Sequence, residues 1–346
     1  MDGIRVVRVK TYIAANRGVV RRTADFLSFM VMSVLASFFL PRPDVVMATS
    51  PQFFAAVGGW LVSVGKRRPF IFELSDLWPA SIRAVEAVKS GFVLRLIEKV
   101  ELFLYRHSAA VVALTRSFKE DLAKRGIDPQ KISVVRNGVD LPRYSPRSRD
   151  ERLTEELGLK GKFVVGYIGT HGMAHALEKV LDAARILAKE GDIRFLFVGG
   201  GAAREMLIAK ARDFDLDNCI FHPAQPKGRM PEFWGLLDVA LIHLKNDPVF
   251  RTVIPSKIFE AMGMGIPILL AGPAGGEAEE IVNGEGVGLS IPSDDPSALA
   301  AAVMAMKRGT KRRKAFTLAE SAAAPKYTRE RQARAVLDIC AAVMGR

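Results

Sequence analysis

What most constrains the fold of this chain is a rhythm that runs through its length: short apolar, β-branched runs alternate with longer segments of helical spacing. In the first half the runs predict strands over residues 4–10, 45–48, 69–73, 110–114 and 132–135, with helices over 23–40, 52–64, 92–107 and 116–124. Asn137 and Gly138 then give a turn signal, and the charged stretch 143–162 reads as a linker. A second series predicts strands over 163–168, 194–198, 219–222, 239–244, 267–270 and 288–291, and helices over 177–189, 203–214, 230–236, 257–262, 278–282 and 296–306. Such an order folds into parallel sheets with helices on both faces, an α/β class with two domains. Ligands of these sheets bind beyond the carboxyl ends of the strands, so candidate site residues are sought in the segments that follow each strand. With 346 residues, 49% of them hydrophobic, the chain has material for two buried cores.

The formal charge of +13 is unevenly placed: residues 1–150 hold 24 Lys or Arg against 13 Asp or Glu. That surplus asks for a polyanionic partner, either nucleic acid or an anionic lipid surface. The run 26–40 favours lipid, because it carries no charge and is flanked by Arg17, Arg21, Arg22 and Arg42, whereas a nucleic-acid surface interleaves basic and aromatic residues. It is shorter than the roughly 20 residues of a bilayer crossing, and Pro41 and Pro43 stop it. It therefore lies on a membrane, dips into one, or is an ordinary buried helix. Residues 83–106 add a basic amphipathic pattern, with Arg83, Lys89, Arg95, Lys99 and Arg106 spread among apolar side chains. The expectation is a cytoplasmic protein held peripherally on the inner face of the cell membrane, with no nucleic-acid partner. Residues 1–10 alternate like a strand and lack the apolar core of a secretory signal, and two cysteines, Cys219 and Cys340, make neither a disulfide framework nor a metal spacing.

Four segments carry candidate chemistry. Gly169, Thr170, His171 and Gly172 follow a strand and precede a helix, where backbone amides and the helix dipole suit a phosphate, and where His171 and His175 offer polar side chains. A plain strand-to-helix turn would also want these glycines. Gly199, Gly200 and Gly201 end the next strand and permit a close backbone approach to a ligand, or simply a flexible turn. In the run 255–262, Pro255 and Ser256 start a helix whose first turn holds Lys257 and Glu260. Glu260 suits the dipole there without any ligand, but Lys257 does not, which points to an anion: an ammonium can hold a diphosphate and a carboxylate a pair of ribose hydroxyls. Asp76, at the end of a first-domain strand, is an acidic candidate beside Trp78 and Pro79, or a helix cap. The signatures of zinc proteases, CxxC redox proteins, nucleophile-elbow hydrolases and P-loops are absent from the sequence. No metal is expected, and Asp294 with Asp295 reads as helix capping.

Taken together, Asp76–Pro79 (DLWP), Asn137–Asp140 (NGVD), Tyr167–His175 (YIGTHGMAH), Phe197–Gly201 (FVGGG), Pro255–Met262 (PSKIFEAM), Gly276–Val282 (GEAEEIV) and Tyr327–Arg331 (YTRER) resemble, in order and spacing, the GT-B retaining glycosyltransferases of family four. Within it the likeness is to the bacterial surface-polysaccharide branch that includes fucosamine transferases. The resemblance implies two Rossmann-like domains facing a cleft: an acceptor and membrane-side domain over 1–143, a nucleotide-sugar domain over 144–325, and a C-terminal helix over 326–346 that crosses back. It implies a nucleotide-sugar donor, UDP-linked and N-acetylated or deoxy, and a polyprenyl-linked or glycan acceptor, with no cofactor. Glu260 would hold the donor ribose, Lys257 with the loop 169–172 its diphosphate, and no protein nucleophile is named. Four departures stand out. Thr252 occupies the position of a common second Glu, Thr170 and His175 replace an Arg and a Lys, and Ser75 replaces a His. The fourth is at the start, where relatives carry two more strand–helix units, so that residues 2–6 would stand as the third strand and the sequence would be a fragment or start too late. A nucleotide-sugar epimerase of the same fold, an inactive membrane-bound scaffold and a nucleic-acid binder remain open as alternatives.

Overall fold

The computed structural model describes residues 3–14, 19–50, 52–77 and 91–345, and its chain divides into two compact units, Met1–Val135 with Arg334–Arg346, and Arg136–Ala333. In the first unit the order is α1 (Val19–Phe38), β1 (Val46–Thr49), α2 (Phe53–Lys66), β2 (Phe70–Leu74), α3 (Gly91–His107), β3 (Ala110–Ala113), α4 (Arg116–Lys124) and β4 (Ile132–Val134). The four strands pair in parallel in the order β1-β2-β3-β4. The two-residue period of β2 explains its burial on both faces. Phe70, Phe72 and Leu74 point to a core shared with Leu104, Tyr105, Phe118 and Leu122. Ile71 points the other way, with Val112 and Val135, and is covered by Val336, Ile339, Cys340 and Val343 of the C-terminal helix. α1 lies on α2, where a side chain at Gly58 would meet Met30.

Residues 4–10 are not a strand. Alternation makes a strand only where another strand supplies the ladder and a core lies beneath. Neither is present among the described residues: Ile4 and Ile13 are 70% and 85% exposed, and the amides of Tyr12 and Ala14 are taken by Ser28 Oγ (2.9 Å) and Asp25 Oδ2 (3.2 Å) on α1. β1 consequently forms an edge of the sheet among the described residues. The expected amphipathic stretch 83–106 is seen as α3 from Gly91 onward; its earlier part, with Trp78 and Pro79, lies outside the described residues.

The second unit runs α5 (Glu151–Glu156), β5 (Phe163–Ile168), α6 (Glu178–Ile186), β6 (Ile193–Val198), α7 (Arg204–Asp213), β7 (Cys219–His222), α8 (Met230–Trp234), β8 (Val239–His243), α9 (Lys257–Met264), β9 (Ile268–Gly272), α10 (Glu277–Gly284), β10 (Gly288–Pro292), α11 (Pro296–Arg308) and α12 (Thr310–Ala323). A last helix, α13 (Arg329–Val343), carries the chain from this unit into the first. The expected linker 143–162 is structured, because Leu153 and Leu159 are apolar and join the core of this unit. Residues 310–323, for which no element was expected, are α12. All six strands are parallel in the order β10-β9-β8-β5-β6-β7. The chain winds outward from β5 through β6 to β7, then returns to β8 and winds the other way. The reversal falls between β5 and β8, and the crevice at their carboxyl ends is where such a sheet takes a ligand.

Candidate functional site

The helix α9 begins where Pro255 presets the backbone, although Ser256, at the cap position, is itself helical (φ −58°) and makes no side-chain capping bond. Ile258, Phe259, Ala261 and Met262 anchor the helix in the core, and Gly265 ends it in the left-handed conformation. Lys257 and Glu260, three residues apart, stand on neighbouring positions of the first turn. The Lys257 ammonium is buried without a hydrogen-bond acceptor and lies 3.8 Å from the centre of the Tyr167 ring, against the backbone of Gly169. Burial lowers its pKa to about 7, opposed by the Glu260 carboxylate. Burial raises the Glu260 pKa, and Lys257 opposes that shift. Burial and then Glu260 push the Tyr144 hydroxyl up to about 12, so Tyr144 belongs to the same neighbourhood.

Two loops lie against each other beside this turn. The amide of Gly169 donates to Val198 O (2.9 Å), that of His171 to Gly200 O (2.8 Å), and that of Ala203 to His171 O (2.9 Å). This contact explains two of the glycines. Gly199 and Gly201 have φ of +151° and +146°, and a Cβ on them would fall 1.9 Å from Gly169 O and 2.5 Å from His171 O. The close approach read from the glycine run is therefore, at these two positions, an approach to the neighbouring loop, while a Cβ on Gly200 would meet only the Ala224 methyl, at 4.0 Å. His171 turns inward: its side chain is fully buried, neither ring nitrogen has a partner, and its pKa falls to about 4 through burial, Arg204 and Lys257. The expectation of a His171 side chain available in the turn is corrected accordingly, because Gly199, Phe197 and Phe221 enclose the ring. Thr170 is exposed at the loop tip, and its carbonyl accepts from the Tyr167 hydroxyl (2.8 Å).

His175 reaches the switch point. Its Nδ1 lies 3.2 Å from His243 O at the end of β8, while His243 Nδ1 lies 2.7 Å from His175 O, and the Lys245 amide donates to Ala174 O (2.9 Å). Burial, with Lys257 next, lowers the His175 pKa to about 4. The loop 169–175 is thus tied to β6 on one side and β8 on the other. Gly169, Gly172, His175, Lys257 and Glu260 come together at the carboxyl end of one sheet. Asp76 belongs to the first unit, in a bend after β2 where Ser50 Oγ meets its backbone. Tyr144, Tyr167 and Arg204 were not singled out by the sequence; Tyr167 could have been found from its two-residue offset before the glycine loop. Thr252 spends its hydroxyl on Val249 O (2.7 Å). Asp295 caps α11 through Ala298 N. Among the described residues no group of His, Cys, Asp and Glu converges as a metal site would need. A cavity of about 480 Å³ lined by Leu237, Asp238, Pro267 and Arg313 opens at the opposite, amino ends of β8 and β9 and holds none of these groups.

Residues 1–138 match the Glycosyl transferase 4-like domain, and residues 149–320 match the Glycosyl transferases group 1 model. Among similar proteins, WbjE of Pseudomonas aeruginosa, named a probable glycosyltransferase, is 25% identical over 82% of this chain and 71% of its own length. TuaH of Bacillus subtilis, assigned to teichuronic acid biosynthesis as a glycosyltransferase, is 27% identical over 58% of this chain, which spans about half of its length (49%). The Anabaena protein HepE, solved in complex with UDP-glucose, has the same fold, with a TM-score of 0.74 at 19% identity, covering 93% of this chain and 84% of that one.

Proposed function

Because this chain belongs to the group 1 glycosyltransferases of the GT-B fold, we propose that it moves a sugar from a nucleotide-sugar, with retention, onto a lipid-linked or glycan acceptor in cell-surface polysaccharide synthesis. One observation carries the reading: a buried, unpartnered ammonium, Lys257, shares a helical turn with a carboxylate, Glu260, beside the loop 169–172 at the switch point. The donor's diphosphate would meet Lys257 and the amides of Thr170 and Gly172, those of Gly169 and His171 being bonded to the neighbouring loop, and Glu260 would accept from the ribose hydroxyls. As the bond to the sugar breaks, negative charge grows on the diphosphate, and a fixed ammonium in a dry site stabilises that charge more than it stabilises the bound donor. The reading assigns this stabilisation to Lys257 and the amides and asks for no divalent metal. A UDP-linked N-acetylated hexose or deoxyhexose, as in fucosamine transfer, is the donor class favoured; HepE is solved with UDP-glucose, and TuaH, named for teichuronic acid biosynthesis, supplies the polysaccharide context.

The first unit is assigned the acceptor and the membrane. Phe38 and Phe39 are exposed at the end of α1, and Phe92, Val93 and Leu96 on α3 stand beside exposed Arg95 and Lys99. Such a surface suits the anionic inner face of a bilayer, where a polyprenyl diphosphate acceptor presents its head group. No described helix is long and apolar enough to cross a membrane.

The test is calorimetric. Glu260→Ala weakens binding of the nucleotide-sugar or its nucleotide by about 1–3 kcal/mol, the worth of charged hydrogen bonds. Unchanged affinity in a folded variant removes Glu260 from the donor site, and turnover abolished by chelator and restored by manganese removes the metal-free mechanism.

A further inference from the structure

The Lys257 ammonium lies over the face of Tyr167 and has no hydrogen-bond acceptor among the described residues. The charged and titratable groups around it otherwise offer little. Glu260 attracts it from one helical turn on, without a hydrogen bond, and Arg204 and Lys257 together depress His171, while His175 is held low as well. A buried ammonium with no acceptor either loses its proton or swings out to water. An aromatic face supplies negative potential without hydrogen-bonding capacity, which keeps the cation in place yet leaves all three N–H donors uncommitted. The same side chain does a second thing. Tyr167 is buried, and its hydroxyl donates to Thr170 O at 2.8 Å, which fixes the peptide leading into His171 and Gly172.

We propose that Tyr167 is a positioning residue for anion capture: its ring face holds the Lys257 ammonium inside the site, and its hydroxyl holds the loop whose Thr170 and Gly172 amides receive the same anion. This rests on the donor site described above. The two roles separate by substitution. Tyr167→Phe keeps the face and loses the hydroxyl, whereas Tyr167→Leu loses both. The charge state of Lys257 is read directly, without any ligand, from the pH titration of ¹³Cε-lysine-labelled protein, with the Lys257 resonance assigned by its loss in Lys257→Met. Tyr167→Phe should titrate as the parent does, and Tyr167→Leu should titrate at distinctly lower pH. UDP and GDP are then titrated at pH 7. The Leu variant should bind the preferred nucleotide on the order of tenfold more weakly, and Phe should restore most of that loss. Should Tyr167→Leu not fold, Tyr167→Met makes the same comparison. An unchanged Lys257 titration in the Leu or Met variant overturns the proposal whatever the nucleotides do. If neither nucleotide binds the parent protein, the donor reading fails instead, and the lysine titration still decides the role of Tyr167.

Discussion

Replacing Gly199 by alanine tests whether the glycines after β6 serve packing. Its φ of +151° lies where L side chains rarely go, and the new Cβ would fall 1.9 Å from Gly169 O and 2.9 Å from Gly169 C. A backbone held in a glycine-only region costs about 1–3 kcal/mol, and forcing an extra carbon into a packed contact costs about 1–3 kcal/mol more. The neighbour cannot yield cheaply, because it is main chain whose own amide is bonded to Val198 O. The expected loss is about 2–6 kcal/mol, or roughly 5–20 °C in melting temperature for a unit of this size. Gly200→Ala is the control one residue away, since its Cβ would meet only the Ala224 methyl at 4.0 Å, and it should stay within about 0.5 kcal/mol. Differential scanning calorimetry of both variants makes the comparison. Equal melting of Gly199→Ala and parent, or equal damage from both substitutions, refutes the packing account and returns these glycines to a direct role at the ligand.

Nucleotide binding should weaken as pH rises above about 7, because Lys257 loses its proton there and a bound diphosphate must restore it; calorimetry at pH 6.5, 7.5 and 8.5 shows this as falling affinity with proton uptake, and a flat profile contradicts it. Glu320 is fully buried with neither carboxylate oxygen bonded, and burial raises its pKa well above the ordinary value. The native state therefore holds a proton that the unfolded chain releases, so stability falls as pH rises from the unfolded pKa toward the folded one. Glu320→Met should gain about 1–3 kcal/mol at pH 8 and less at pH 5, and melting curves showing a less stable variant at pH 8 count against it. Anionic vesicles at low salt should bind the protein, high salt should release part of it, and Phe38→Ser with Phe39→Ser should release more; co-sedimentation that ignores the lipid charge removes the membrane reading.

The two parallel sheets were legible because hydrophobic period is a local property: β5 and β7 run over the residues their apolar pattern marks. What failed was non-local. Residues 4–10 have the strand pattern but no partner to pair with, and the linker assignment of 143–162 weighed charge above the two leucines that reach the core. At the site, Lys257 and Glu260 were legible from a lysine placed against the helix dipole. The inward turn of His171 was not, because a loop side chain's direction depends on the loop beside it. Tyr167 reads as an ordinary buried strand residue, and its contact with Lys257 joins positions ninety apart in sequence.

The paired contacts of His175 and His243 have a chemical consequence. A main-chain carbonyl can only accept, so each Nδ1 that faces one must carry the proton, and both imidazoles are locked in a single tautomer. With a pKa near 4, His175 stays neutral at cellular pH, and its other nitrogen, Nε2, can only accept. A phosphate oxygen finds nothing to take there, whereas a hydroxyl finds a base. Exchanging His175 for lysine would turn a side chain that can accept from a hydroxyl into one that can only donate.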